Sequence, residues 1–381
     1  MRVAMLGQYP LKEERIVGGI EAIVVPLLRG LARFDDLELH VVTCQPGVED
    51  KLSRTKSGWP LHTLKRRRLG RLTFHLRDVA GLQRVLKELS PDVVHAQGVG
   101  IYAAAAANSL YPYVVTVHGI IFREADFATR LGARARSVMD SIYERYRLAR
   151  VENLIAISPY VEEELEGRGD FKRVYRIENP VDDRFFSVTH AEGERATILY
   201  AGRVIRRKGL LELLRALTKV REAVPQVRLR VAGESESDLA YLDTCQQFLA
   251  DHELERVVTF LGSLTVEQMV KEYARCTVFA LPSKQETAPV VVAEAMAAGR
   301  PVVATRACGM PYMVAHEESG LLAEYGDTVG WGRALTGLLS DPALACRMGR
   351  KGRDLAQARF SPDAVARATR DVYRELVGDR R

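Results

Sequence analysis

Apolar residues in this chain occur in short, nearly uninterrupted runs that alternate with longer stretches of helical period. The runs RVAMLG at 2–7 and YVVTVHG at 113–119 lack a polar face, which is typical of strands buried in parallel sheets. Residues 20–34, after the first run, have the spacing of an amphipathic helix. Repeated alternation of strand and helix predicts an α/β fold in which helices cover parallel sheets.

The alternation is interrupted once, near the middle of the chain, and then begins again. The sequence NPVD at 179–182 lies at this point, and a residue that precedes proline is held extended. We therefore expect a stiff crossover between two doubly wound sheets. Because 381 residues also suffice for two domains, we predict one domain over 1–181 and a second over 182–359.

The stretch QETAPVVVAEAMAAGRPVVAT at 285–305 carries the clearest chemical signal. Proline near its start and glycine after its middle predict a short helix, with Glu286 in the loop before it and Glu294 inside it. The N-terminus of a helix suits a phosphate, and ionised carboxylates accept hydrogen bonds from sugar hydroxyls. The combination describes a nucleotide sugar, although either acid taken alone is more simply a solvated or helix-capping side chain.

A second cluster follows the first predicted strand of the C-terminal half. It contains Gly202, Arg203, Lys208 and Gly209, and it does not fit the P-loop pattern. Arginine can hold a diphosphate through two N–H groups, and lysine adds a point charge. The alternative is a basic turn whose side chains are solvated. We expect solvation for the two bases between them, Arg206 and Arg207.

The spacing of the two glutamates, with the Ala-Met-Ala-x-Gly-x-Pro-Val-Val-Ala pattern after the second, resembles the signature of retaining, glycogen-synthase-like glycosyltransferases of family 4, group 1. The resemblance covers nearly the whole chain and is most specific over 201–322. It implies a GT-B fold: two Rossmann-like domains face a central cleft, and a C-terminal helix within 360–381 crosses back to complete the first. The first domain would take the acceptor, and 182–359 would bind the nucleotide sugar.

The resemblance also implies roles for individual residues. Arg203 and Lys208 would bind the diphosphate, Glu286 the sugar ring, Glu294 the ribose, and His118 the donor sugar. We take Arg203, Lys208, Glu286 and His118 as the candidate catalytic residues. The other candidate donor-binding residues, beside Glu294, are Gly18, Gly19, Gly202, Gly233, Glu234, Gly262, Pro282, Pro289, Val290 and Val291.

Two histidines stand at the ends of predicted strands, His95 and His118. Ligands of open parallel sheets gather beyond the carboxyl ends of the strands, but histidines there are also common structural hydrogen-bonding groups. For His95 the sequence supports the ligand-binding and the structural interpretation equally. One departure from the family concerns Thr287-Ala288-Pro289, where many members have Gly-Phe-Gly, and it leaves the donor sugar open.

The expected reaction is transfer of a hexose, with retention, from a UDP- or GDP-sugar to a hydroxyl of a glycan or lipid-linked acceptor. The chain has no Asp-x-Asp motif, and cations can neutralise the leaving diphosphate, so we expect no metal and no other cofactor. Two alternatives stay open. One is a nucleotide-sugar epimerase of the same fold, and the other is a non-catalytic nucleotide-sugar-binding partner.

Positive charge is concentrated in one segment. Residues 51–77 contain nine bases and no acid, interleaved with leucines and aromatic residues. Such a mixture predicts contact with an anionic membrane surface, and a solvated basic loop is an equal alternative. No nucleic-acid-binding motif accompanies the charge, so we expect no nucleic acid partner.

The cysteines bear on the compartment. They are scattered and form no Cys-x-x-Cys pair, which argues against a zinc site and a disulfide framework and fits a reducing cytoplasm: Cys44, Cys245, Cys276, Cys308 and Cys346. The N-terminus has too short an apolar run for a signal peptide, and no run is long enough to span a bilayer. We expect a cytoplasmic protein that can lie peripherally on the inner face of the membrane.

Overall fold

The structure is a computed structural model of the chain, and it describes residues 1–11, 19–67, 70–124, 131–189 and 196–378. The chain divides into two compact units. The first unit comprises Met1–Pro180 and Pro362–Arg381, and the second unit comprises Val181–Ser361. Each contains a mainly parallel sheet with helices, so the predicted α/β class is confirmed.

The strands coincide largely with the apolar runs of the sequence. In chain order they are β1 (Arg2–Leu6), β2 (Glu38–Gln45), β3 (Lys51–Arg54), β4 (Pro60–Lys65), β5 (Val93–Gln97), β6 (Tyr113–Val117), β7 (Asn153–Ala156), β8 (Arg173–Arg176), β9 (Thr197–Ala201), β10 (Arg228–Ala232), β11 (Val258–Gly262), β12 (Val278–Leu281), β13 (Val302–Thr305) and β14 (Gly320–Ala323). Strands β1, β5, β6 and β9 are almost wholly buried, which explains why their sequences do not alternate.

The strand order reverses once in each sheet. In the first unit the order is β3-β4-β2-β1-β5-β6-β7-β8, where β3 is antiparallel to β4 and the other pairs are parallel. In the second unit the order is β11-β10-β9-β12-β13-β14, and the pairs are parallel. The reversal lies between β1 and β5 and between β9 and β12. Ligands of open α/β sheets bind beyond the carboxyl ends of strands at such a point.

An α-helix follows every strand except β2 and β3. They are α1 (Gly19–Leu31), α2 (Leu76–Leu89), α3 (Ile101–Ala107), α4 (Ile121–Glu124), α5 (Leu131–Leu148), α6 (Pro159–Leu165), α7 (Asp183–Phe186), α8 (Leu210–Ala223), α9 (Leu239–Asp251), α10 (Val266–Arg275), α11 (Val290–Ala297), α12 (Met310–Met313), α13 (Thr328–Ser340), α14 (Pro342–Arg359) and α15 (Pro362–Gly378). Short 3₁₀ turns span Gly70–Thr73 and Arg206–Lys208.

Helix α15, at the end of the chain, belongs to the first unit, as the family resemblance implied. Its Tyr373 is fully buried in a core with Met5 of β1 and Leu28 of α1. Helix α1 makes room for it at Gly30, where a Cβ atom would lie 2.5 Å from the carbonyl oxygen of Pro362. A side chain at this position would push the two helices apart.

The second unit has its own core around β9 and β12. Tyr200 of β9, Phe279 of β12 and Leu213 of α8 are fully buried there, and Trp331 of α13 joins them. The loops at the carboxyl ends of β9 and β12 start from these buried strands.

Candidate functional site

Helix α11 begins as the sequence predicts. Pro289 is its N-cap residue, and Glu294 lies in its fifth position, while Glu286 lies in the loop before it. The N–H of Val292 donates to the carbonyl of Pro289 at 3.0 Å. Within the described residues, the N–H groups of Val290 and Val291 have no acceptor. Two backbone donors and the positive end of the helix dipole are thus available to an anion.

A buried ion pair stands beside this helix start. Lys208, at the end of the 3₁₀ turn after β9, places its Nζ 2.5 Å from Oε1 of Glu286, in the loop after β12. The hydroxyl of Ser283 donates to the same oxygen at 2.6 Å. The loops that follow β9 and β12 therefore meet at the point where the strand order reverses.

The charges around Glu286 decide its ionisation. Burial is the largest influence and opposes ionisation, but Lys208 and Arg207 together outweigh it, and the pKa of Glu286 lies below its usual value. Glu286 is therefore an ionised, acceptor-only carboxylate at neutral pH. Among the described residues, its second oxygen, Oε2, has no hydrogen-bond partner.

Arg207 is largely buried, so the expectation that it is solvated was wrong. Its side chain is only 10% exposed, and its Nη1 lies 3.8 Å from Oε1 of Glu286. The same nitrogen donates to the carbonyl of Gln285 at 2.7 Å, and the N–H of Lys284 donates back to the Arg207 carbonyl at 2.8 Å. Arg207 thus fixes one loop against the other. Arg206 is exposed as expected, with its guanidinium 5.6 Å from the ring centroid of Tyr241.

Two glycines let these loops approach each other. Gly233, after β10, has a φ of 144°, and a Cβ there would lie 2.0 Å from the carbonyl oxygen of Gly202. Gly209 has a φ of 72°, and a Cβ there would lie 2.1 Å from the carbonyl oxygen of Pro282. Any other residue at either position would separate the loops.

Glu294 has a partner that the sequence did not reveal. The hydroxyl of Tyr273, on α10, lies 3.1 Å from Oε2 of Glu294 and 2.9 Å from the carbonyl of Val291. Burial, opposed by this hydrogen bond and reinforced by the charge of Asp182, raises the pKa of Glu294 to about 7. An aromatic residue on a helix is most simply a core residue, so no sequence signal distinguished Tyr273.

Known proteins were compared with the chain. Residues 181–355 match the model of the family described as glycosyl transferases group 1, and residues 17–185 match that of glycosyltransferase family 4. The chain belongs to this family of glycosyltransferases. The two matched ranges overlap at 181–185, which includes the last two residues of the NPVD segment.

Individual proteins are similar over different lengths. The D-inositol 3-phosphate glycosyltransferase of Corynebacterium kroppenstedtii is 33% identical over 183 residues, which are 47% of this chain and only 40% of that relative. Sucrose-phosphate synthase from Thermosynechococcus elongatus superposes with a TM-score of 0.84, at 21% identity and over 99% of both chains. Anabaena HepE in complex with UDP-glucose superposes with a TM-score of 0.76, at 19% identity, over 98% of this chain and 100% of that one. The structural likeness establishes the expected GT-B fold.

Arg203 of this glycosyltransferase stands apart from the ion pair. It is exposed, and within the described part of the chain its guanidinium has no hydrogen-bond or ion-pair partner. Its backbone is close to Gly233, whose Cβ position lies 3.3 Å from the Arg203 nitrogen. The structure thus places Arg203 on the same group of loops as Lys208, with a side chain that can reach an added ligand.

The loops after β9, β10 and β11 are joined in series by backbone hydrogen bonds. Val204 donates to the carbonyl of Glu234, and Gly233 donates to that of Gly262, both at 2.8 Å. The carboxylate of Glu234 accepts from Ser237 at 2.5 Å. Pro282 is buried against Gly209. The predicted donor-binding residues of the second unit therefore lie along one edge of its sheet.

In the first unit, His118 follows β6 and is only partly exposed. Its Nε2 donates to Oε1 of Gln97 at 2.6 Å. Burial lowers the pKa of His118 to about 4, against the opposing influence of Asn179, so the ring is neutral at pH 7. Gly19 is the exposed first residue of α1. Gly18 lies outside the described residues.

His95 proves to be structural. Its Nδ1 lies 2.6 Å from the hydroxyl of Tyr373 on α15, and its Nε2 lies 2.6 Å from Oγ1 of Thr116. Gln97 donates to the same Nε2 at 3.0 Å, which links His95 to His118. Burial and the neighbouring His118 lower the pKa of His95 to about 3. A neutral ring with every nitrogen bonded inside the core has a supporting role.

Among the described residues, no group of three or more histidine, cysteine, aspartate or glutamate side chains is arranged to hold a metal ion. No helix in the part of the chain covered by the structure has the length and apolar character needed to cross a membrane.

Proposed function

We propose that the chain is a retaining hexosyltransferase that uses a UDP- or GDP-sugar and transfers its hexose to a hydroxyl of a glycan or lipid-linked acceptor. The observation that carries the proposal is the ion pair of Lys208 and Glu286 next to the open N–H groups at the start of α11. An ammonium group has three donors, and Glu286 occupies one. The others remain for a diphosphate, while the carboxylate holds the sugar.

Cleavage of the donor leaves negative charge on the diphosphate. Lys208, Arg203 and the N–H groups of Val290 and Val291 stabilise this charge as it develops. Lys208 is held in place before the reaction by its ion pair with Glu286, and the two N–H groups are held by helix α11. We therefore propose that neither a metal ion nor another cofactor takes part.

Retention follows from attack on the face that the diphosphate leaves. The bond between the sugar C1 and the diphosphate oxygen breaks, and a bond from C1 to the acceptor oxygen forms. The acceptor proton passes to the leaving phosphate, so no side chain serves as nucleophile. His118, neutral at pH 7, contacts the donor sugar, and Glu294 holds the ribose hydroxyls.

We propose that the two units bind different substrates. The nucleotide sugar binds to the unit predicted as 182–359, which carries the ion pair, and the acceptor binds to the unit predicted as 1–181 with 360–381. HepE, a neighbour in fold, is seen in complex with UDP-glucose, and this supports a nucleotide-sugar donor. The D-inositol 3-phosphate glycosyltransferase and the sucrose-phosphate synthase have names that indicate different acceptors. We therefore describe the acceptor only by the hydroxyl group that it supplies.

We further propose that the protein resides in the cytoplasm and that segment 51–77 contacts the anionic inner face of a membrane. The support is that Leu52, Phe74 and Leu76 are exposed next to bases of the same segment. Replacing Leu52 and Leu76 with serine should reduce sedimentation with phosphatidylserine vesicles and leave neutral vesicles unaffected. Equal sedimentation of both proteins would contradict the membrane contact.

The reaction is tested by incubating the protein with a panel of UDP- and GDP-sugars, with and without acceptors, and analysing the products by mass spectrometry. A transferase releases nucleoside diphosphate in step with a glycosylated acceptor, and NMR of the product should show the anomeric configuration of the donor. Conversion of the donor without acceptor would indicate an epimerase. Binding without turnover of any donor would indicate a non-catalytic partner.

A further inference from the structure

A cavity of about 390 Å³ lies in the first unit. It is formed by the carboxyl ends of β2 and β4, the loops after them, and the first two turns of α2 with Gly81 and Arg84. Its volume is that of a site for a small ligand. The carboxyl edge of a parallel sheet is also where ligands of such folds bind.

Basic side chains dominate the lining of this cavity. Four cations line it, and they outnumber two carboxylates, which leaves two positive charges (4 − 2). The cations are Lys65, Arg67, Arg77 and Arg84, and the carboxylates are Asp50 and Asp78. Guanidinium groups bind phosphate through paired N–H donors, and an ammonium adds a point charge.

The two carboxylates are already engaged, largely by backbone. Asp78 is buried, and its oxygens lie 3.2 Å from the N–H of Arg67 and 2.9 Å from Nδ1 of His75. Asp50 accepts from the N–H of Lys65 at 2.7 Å and lies 3.8 Å from Nη2 of Arg84. Within the described residues, the charged groups of Lys65, Arg67 and Arg77 have no ion-pair partner. Their charge is therefore available to a ligand.

The cysteine in the lining does not offset this positive charge. Cys44 is buried, and burial raises the pKa of its thiol to about 12, so the thiol is neutral at pH 7.

We propose that this cavity binds a phosphate group of the acceptor, so that the acceptor class is a phosphorylated sugar or a lipid-linked phosphosugar. The inference rests on the proposed transferase function, whose acceptor it specifies. It assigns Lys65, Arg67 and Arg77 as the residues that hold the phosphate.

The first experiment measures binding and does not depend on turnover. UDP or GDP, whichever binds more tightly, is added at saturation to occupy the proposed diphosphate site of the second unit. Inorganic pyrophosphate is then titrated calorimetrically into the wild-type protein and two variants. Arg67→Gln/Arg77→Gln should weaken pyrophosphate binding at least tenfold. Lys51→Gln, which removes an exposed charge of the same segment outside the cavity lining, should change it less than twofold. Unaltered affinity for that nucleotide and an unaltered melting temperature in each variant show that the fold and the donor site persist.

Equal binding of pyrophosphate to wild type and to Arg67→Gln/Arg77→Gln would overturn the assignment. A second experiment compares acceptors once the donor is known. Soluble sugar phosphates and lipid-linked phosphosugars in detergent distinguish the two sources of phosphate, and each is tested against its unphosphorylated form. A kcat/KM for the phosphorylated form at least tenfold higher, lost in the double variant, is expected. Equal use of both forms would refute the proposal, whereas absence of any turnover would refute only the transferase function.

Discussion

Lys208 and Glu286 form a short ion pair in which the two charged atoms are 2.5 Å apart and both side chains are almost withdrawn from water, at 14% and 9% exposure. They come from loops 78 positions apart in the chain. A pair of this kind gives little net stability by itself, but removal of one partner leaves a buried charge. The stability of the loops and the binding of the donor are therefore coupled through the same two residues.

Lys208→Met should lower the free energy of unfolding of the second unit by about 2–4 kcal/mol, because Glu286 keeps its charge with only Arg207 nearby. Lys208→Met/Glu286→Gln should recover at least half of that loss, since the charge is then gone as well. Urea unfolding of wild type, both single variants and the double variant gives the coupling energy. If the two single substitutions change the free energy of unfolding additively, the residues do not stabilise each other. Turnover should be lost in all three variants.

Arg207→Gln should cost about 1–3 kcal/mol, because the Gln285 carbonyl and the Glu286 carboxylate both lose a buried partner. Arg206→Gln is the matched control, with the same change of charge one residue earlier on an exposed side chain. It should alter the free energy of unfolding by less than about 0.5 kcal/mol. Similar losses in the two variants would mean that charge alone, rather than the contacts of Arg207, matters.

Glu294 should make stability depend on pH. Its pKa is about 7 in the folded chain against an ordinary 4.5, so the folded state retains the proton that the unfolded state releases. The free energy of unfolding should therefore fall by at most about 3 kcal/mol as pH rises from about 4.5 to 7. Above pH 7 it should stay level. Glu294→Gln should match wild type near pH 4.5 and exceed it at pH 8 in thermal unfolding. A constant difference at every pH would show that ionisation of Glu294 has no part.

Tyr373→Phe should destabilise the first unit by about 1–2 kcal/mol, because Nδ1 of His95 loses its partner inside the core. Tyr175→Phe is a suitable control, since the Tyr175 hydroxyl bonds Glu375 at 3.0 Å in an exposed position. That change should cost less than about 0.5 kcal/mol. Equal midpoints in urea for Tyr373→Phe and wild type would show that the hydroxyl is dispensable.

Removal of metal should leave the reaction intact. The diphosphate charge is met by Arg203, Lys208 and backbone N–H groups, so turnover after extensive dialysis against EDTA should remain within about twofold of the untreated protein. Activity that disappears with EDTA and returns with a divalent ion would contradict the proposed charge stabilisation. The Arg203→Gln variant provides the complementary test, because its turnover should fall at least tenfold without loss of stability.

The elements of the site followed from local rules, whereas its long-range contacts did not. Pro289 and Gly299 bracket a helix by their backbone preferences, and the structure has that helix at Val290–Ala297. Arg207 lies in a run of three bases, and the distant loop at Gln285 and Glu286 determines that Arg207 and Lys208 are withdrawn from water while Arg206 is not. His95 likewise finds Tyr373 at a separation of 278 positions, and no local pattern reports such a pairing.

The last helix has a consequence for how the protein is made. Helix α15 fills the gap beside Gly30 and supplies Tyr373 to His95, yet it leaves the ribosome only after the whole second unit. The second unit can reach its native packing while the first unit, although translated earlier, still lacks helix α15. Shortened chains that stop before residue 362 should consequently be prone to aggregation.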